Sequence, residues 1–139
     1  MTSAQTVTRS LGLAGLVPFV LPAVLIVSGS ALASPASQLV NAYALAIICF
    51  LSGSWWGMAQ SSGVRRTLIL SNLYLLLALA LYLFASEWWP LAAMLLLLGA
   101  WVCERSPGLF PVSAQAYQRM RGLLTLGAAA SMGAIQFAA

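Results

Sequence analysis

The chain has 139 residues, 62% of them hydrophobic and 6% charged, against roughly 25% charged in a soluble domain. So few charges cannot clothe a water-soluble surface, which excludes a soluble enzyme or binding module and points to an integral membrane protein. The net charge of +4 comes from six Arg and two Glu, with no Lys, Asp or His. The arginines fall between apolar runs, where they serve membrane topology rather than nucleic-acid binding.

Residues 1–10 are polar and carry Arg9. The apolar run that follows predicts a helix over about 11–31; roughly 20 residues at 1.5 Å each cross a hydrocarbon core of about 30 Å. Pro18 and Pro22 lie inside it. Each removes a backbone donor and invites a kink, which a bilayer helix tolerates when neighbours re-satisfy the freed carbonyls. Arg9, the apolar run and Ala31-Leu32-Ala33 also fit a cleavable signal peptide. The run exceeds the usual h-region of about 7–15 residues, so a retained helix is expected.

Ser34-Pro35-Ala36-Ser37 reads as a turn, followed by a helix over 38–60 and a break at Gln60-Ser61-Ser62-Gly63. After Arg65-Arg66 comes a leucine-rich helix over 67–86. Ser86-Glu87 marks the next turn; Trp88 and Trp89 suit an interfacial belt and Pro90 a first helical turn. The helix over 88–104 ends at Glu104-Arg105, before a loop of two prolines flanking a glycine, Pro107-Gly108 and Pro111. Residues 112–121 are expected to begin a helix near the membrane surface, and the last span covers 118–138.

The charges test this arrangement independently. With the N-terminus inside, Arg9, Arg65, Arg66, Arg105, Arg119 and Arg121 all lie inside, and the outer loops near 32–37 and 86–88 hold no basic residue. The positive-inside rule therefore favours an all-α polytopic protein of one transmembrane domain, 1–139, with five helices, N-terminus inside and C-terminus outside.

Within the second helix Gly53 and Gly57, with Ser54 beside them, place small residues at the spacing that lets helices approach closely. Packing against another helix of the same chain is the default reading, and a partner or dimer interface the sharper one. Trp55 and Trp56 point about 100° apart, so one can face lipid while the other packs inward. Asn72, Tyr43 and Ser52 are polar groups inside predicted spans. Asn72 is expected to face protein, because an unpaired amide in hydrocarbon is costly, while Ser52 can return its hydroxyl to the helix backbone. Glu104, Arg105, Arg119 and Arg121 form a charge cluster at the inner side. Glu104 is expected to pair with Arg119 or Arg121, a link worth roughly 0–1 kcal/mol at an exposed rim. Cys49 and Cys103 read as small buried hydrophobes.

No nucleophile–base pair, phosphate loop or metal-ligand spacing is present in the sequence. The expectation is therefore no catalytic residue, no metal and no cofactor.

Three motifs carry a resemblance. They are Leu11-Gly12-Leu13-Ala14-Gly15-Leu16-Val17-Pro18-Phe19; Tyr43 followed by Phe50-Leu51-Ser52-Gly53-Ser54-Trp55-Trp56-Gly57; and Tyr117-Gln118-Arg119-Met120-Arg121 with Leu124-Thr125. In this order, over nearly the whole chain, they resemble the domain of unknown function 3429 family, small multi-pass inner-membrane proteins that include transmembrane protein 69. The resemblance implies an inner-membrane location and carries no established activity. The expected function is a non-enzymatic accessory or structural component of the bacterial inner membrane. Its expected partners are membrane lipids and a second copy or another membrane protein. The alternative is a subunit of a small-solute transporter or channel, with Asn72, Ser54 and Tyr43 lining a path.

Overall fold

The computed structural model describes residues 3–105 and 115–138. Among them the chain forms six α-helices and no strand: α1 (Ser3–Ala14), α2 (Val17–Val27), α3 (Ala33–Ser62), α4 (Arg65–Phe84), α5 (Trp89–Glu104) and α6 (Gln115–Ala138). A single 3-10 turn, Ser86–Trp88, leads into α5. The loop expected at 106–111 lies outside the described residues.

The first predicted span is two helices in line rather than one, and helix begins well before residue 11. The break falls at Gly15-Leu16 because Pro18 has no N–H to offer the carbonyl of Ala14 and its ring crowds that carbonyl. The chain tightens there into i to i+3 bonds, from Gly15 N to Gly12 O and Leu16 N to Leu13 O, each 3.1 Å. Pro18 then sits in the first turn of α2, where its missing donor costs nothing. The carbonyl of Gly15 is taken by the Tyr43 hydroxyl of α3, which donates to it at 3.0 Å. The Phe19 and Tyr43 rings meet edge to face beside it at 5.0 Å.

The turn expected at 34–37 lies earlier. Gly29, at φ 72°, closes α2, with Ser30 N bonded to Leu25 O and Gly29 N to Ile26 O. This is the paired-carbonyl closure that a left-handed glycine permits. Pro35 falls in the first turn of α3 and is accommodated there. α3 runs past Gln60 to Ser62 and stops at Gly63, also at φ 72°. Arg65 and Arg66 occupy the first turn of α4. Cations there oppose the helix dipole by a few tenths of a kcal/mol each, and both remain exposed.

The helices close a ring in which α3 packs on α2 and α4, and α6 on α2 and α5, while α5 also reaches α3 and α4. The core holds Phe19, Val40, Ala44, Ile48, Trp89, Leu97, Met132 and Ile135. α6 joins through its glycines. A Cβ at Gly122 would lie 3.0 Å from Cζ2 of Trp101, one at Gly127 3.0 Å from Leu16, and one at Gly133 2.9 Å from Met94.

Among the described residues four stretches are long and apolar enough to cross a membrane: Arg9–Val27, Ala33–Gln60, Arg65–Phe84 and Ser86–Glu104. Only 17–33% of each is buried within the protein. The remainder exposes side chains such as Leu11, Phe50, Leu76 and Phe84, a surface suited to hydrocarbon. α6 is less apolar because its sequence carries Arg119, Arg121 and three glutamines.

Candidate functional site

Polar side chains gather where α3, α4, α5 and α6 meet at the arginine-bearing end. Trp55 is fully buried one helical turn before the final turns of α3. Its indole Nε1 donates to Glu104 Oε1, on the last residue of α5, at 3.0 Å. Arg121, in the second turn of α6, grips the same carboxylate with two nitrogens, Nε to Oε2 at 3.0 Å and Nη2 to Oε1 at 3.4 Å. Its Nη1 donates to the Thr125 hydroxyl one turn on. The two charged side chains are only 12% and 16% exposed.

This is more than the rim contact expected from sequence. A solvated pair contributes roughly 0–1 kcal/mol. A buried pair is costly to break, about 3–5 kcal/mol, because the survivor is left as an uncompensated charge. The burial and the additional bonds place Glu104–Arg121 in the second class. Trp55 ties the pair to α3, and its ring meets Tyr74 of α4 edge to face at 5.0 Å. The Tyr74 hydroxyl donates to the carbonyl of Leu96 on α5. One network thus links four helices.

Around it, Ser52 and Ser71 are buried and donate to Ile48 O and Leu68 O of their own helices, at 3.0 and 2.9 Å. The other arginines stand apart. Arg119 is exposed, and the guanidinium of Arg105 lies 5.4 Å from the centre of the Trp101 ring.

Several expectations need correction. Gly53 and Gly57 do not pack within the chain: both are exposed, and a Cβ at either would meet nothing within 4 Å. Ser54 is exposed too and bonds only back to Phe50 and Leu51 of its own helix. Asn72 does not face protein. It is exposed on α4, with its amide nitrogen bonded to Leu68 O at 3.1 Å. Tyr43 serves the break in the first span. Asn72, Ser54 and Tyr43 therefore have separate neighbours and line no common cavity among the described residues. The tryptophan pair divides as expected, Trp55 inward and Trp56 45% exposed.

The sequence reading missed the bond between Trp55 and Glu104. The available signal was Glu104 itself, an acid placed among inner arginines and within reach of a tryptophan that helical phase could turn inward. It also missed the joining of Gly15 to Tyr43, which needs the neighbour relation of two helices. No group of three His, Cys, Asp or Glu is placed to hold a metal among the described residues.

Together the long apolar helices, their hydrocarbon-suited surface and the buried polar network define a helical membrane protein. Over residues 4–137 the chain matches the sequence model described as "Protein of unknown function (DUF3429)", and it belongs to that family. No curated protein and no solved structure matches it. The motifs that carry the resemblance are joined in space: Gly15 to Tyr43, and Trp55 through Glu104 to Arg121 and Thr125.

Proposed function

We propose that the chain is a five-span inner-membrane protein, N-terminus inside and C-terminus outside. In this reading it acts as a non-enzymatic accessory component that receives a helix of a membrane partner or a second copy on α3. The observation that carries the reading is the open space outside Gly53 and Gly57. The glycines of α6 are spent on contacts within the bundle, whereas these two expose a backbone strip that lipid chains fill poorly and a neighbouring helix can fill closely.

Two further features support it. Asn72 is exposed near the start of α4, at a depth comparable with Gly57 near the end of α3. A second helix would supply its amide with partners that hydrocarbon lacks. For the fifth span, the 24 residues of α6 reach about 36 Å at 1.5 Å per residue, enough to cross. The gathering of arginines at one end agrees with that end lying inside.

The test is capture of the full chain in mild detergent, with cysteine cross-linking from Ser54→Cys, an exposed neighbour of Gly53. A discrete cross-linked product, lost when Gly53→Leu is added to Ser54→Cys, supports the proposal. Identical cross-linking and migration with and without Gly53→Leu would sink it. Reporter fusions at residue 139 read the topology, and an inside C-terminus would refute five crossings.

A further inference from the structure

The seam between α5 and α6 has an inner and an outer side at the arginine end. Four contacts fix its register: Glu104 with Arg121, Trp101 with Gly122, Met94 with Gly133 and Leu91 with Gln136. One number falls as the other rises, so the two helices run antiparallel. Arg105, one residue past Glu104, and Arg119, two residues before Arg121, therefore reach the same level. At about 100° per residue both are turned away from the inner ion pair, Arg105 by about 100° and Arg119 by about 160°. Arg105 shares the side of Trp101, and Arg119 adjoins that of Gly122, as i, i+4 and i, i+3 neighbours do. The contact of Trp101 with Gly122 thus brings two arginines to the outer edge of one seam, and both are exposed. Packed helix axes stand about 8–10 Å apart, a gap that two arginine side chains can span together.

No acid of the chain answers this charge. The sequence has two carboxylate side chains. Glu104 is held by Arg121 and Trp55 on the inner side, and Glu87 lies at the opposite end of the bundle, before α5. The Trp101 ring, with its centre 5.4 Å from the Arg105 guanidinium, attracts a cation without neutralising it. The counter-charge therefore comes from outside the chain. The surface beside the pair indicates its source. Leu123 and Leu126 follow Arg119 along one face of α6 and are exposed, as is Val102 near Arg105. Cations at the rim above an exposed apolar stripe match a head-group phosphate above its acyl chain, and the guanidinium fork fits phosphate oxygens. Arg65 and Arg66 lack this arrangement, because consecutive helical residues diverge by about 100°.

We propose that Arg105 and Arg119 bind the phosphate of an acidic phospholipid on the outer side of the α5–α6 seam, with an acyl chain along Leu123 and Leu126. The inference is independent of the α3 interface.

The test compares lipids that share the phosphodiester and differ in net charge. The purified full chain is titrated with phosphatidylglycerol or phosphatidylcholine of identical acyl chains, and bound lipid is counted by native mass spectrometry. Wild type should prefer the glycerol lipid about tenfold, the effect of roughly two basic residues beside an anionic head group. Arg105→Gln combined with Arg119→Gln should abolish the preference. Arg65→Gln combined with Arg66→Gln removes the same charge from the same end and should leave the preference intact. All four side chains are exposed, so an unaltered unfolding temperature certifies the fold of both double variants. Equal binding of the two lipids by wild type, or a preference that survives the loss of Arg105 and Arg119, would overturn the proposal. So would an equal reduction in the two double variants, which would reveal a response to net charge alone. Retention of the glycerol lipid in millimolar inorganic phosphate at matched ionic strength supports a lipid occupant; its displacement would overturn that assignment.

Discussion

The two ends of the bundle are built on the same plan with different chemistry. Each has a pair of adjacent tryptophans, Trp55-Trp56 and Trp88-Trp89. In each pair one ring is buried to 1% exposure or less and the other stands out, Trp56 at 45% and Trp88 at 61%. Each buried indole meets a tyrosine of α4 edge to face, Trp55 with Tyr74 and Trp89 with Tyr82. At the arginine end the indole donates to a carboxylate already held by Arg121. At the other end it donates to the neutral carbonyl of Asn41, and the neighbouring helix start is satisfied by Gln136, whose Oε1 accepts from Leu91 N at 3.2 Å. The difference teaches what each end is for. At its interior the charged end is saturated with bonds among its own residues and behaves as a clasp. The other end, whose charge is the exposed Glu87, has no such ion pair among the described residues.

The comparison breaks most severely at Glu104. Glu104→Ala leaves Arg121 buried without its partner and should cost about 3–5 kcal/mol in unfolding measured in mixed detergent. Adding Arg121→Ala should restore part of that loss. A double variant as unstable as the sum of the singles would show that the pair does not act as a unit.

Next in size is the seam between α5 and α6 at the same end. Gly122→Val drives a side chain into the rigid Trp101 ring and should destabilise by about 1–3 kcal/mol. Gly53→Val, into open space, should leave the unfolding of the isolated chain unchanged. Equal losses at the two glycines would contradict the packing described.

The tryptophans measure the two ends directly. Trp55→Phe loses a bond to a charged acceptor, about 1.5–3 kcal/mol, and Trp89→Phe a neutral one, about 0.5–1.5 kcal/mol. Both remove the same volume, so the difference between them isolates the charge. The smallest effect is expected at Tyr43→Phe, which frees the Gly15 carbonyl and should cost about 1 kcal/mol. It should also increase amide exchange around residues 15–19, and unchanged exchange there would mean that the break does not depend on Tyr43.

Much of this was legible in the sequence. Five apolar runs, the arginines between them and the three motifs led to a multi-helix membrane protein and to its family, because bilayer thickness and backbone satisfaction leave a long apolar run one common solution. Helix ends were legible where glycine or proline enforces them, as at Gly63 and Pro90, and less so at Pro35, since proline within a first turn looks the same in sequence as proline in a loop. Of the clasp, the partnership of Glu104 with an arginine of α6 was legible, and its tie to Trp55 was not.

What the sequence determined by itself is what depends on composition and local chain chemistry: membrane residence, the approximate spans and the concentration of cationic charge in particular connecting segments. Tertiary structure alone decided which glycines touch a neighbour. Spacing marks Gly53 and Gly57 at least as plainly as Gly122 and Gly127, but contact depends on how each helix is rotated toward the others. It likewise decided that Asn72 lies outside and that Trp55 reaches Glu104. Each of these is a relation between helices, set by the packing of the whole ring.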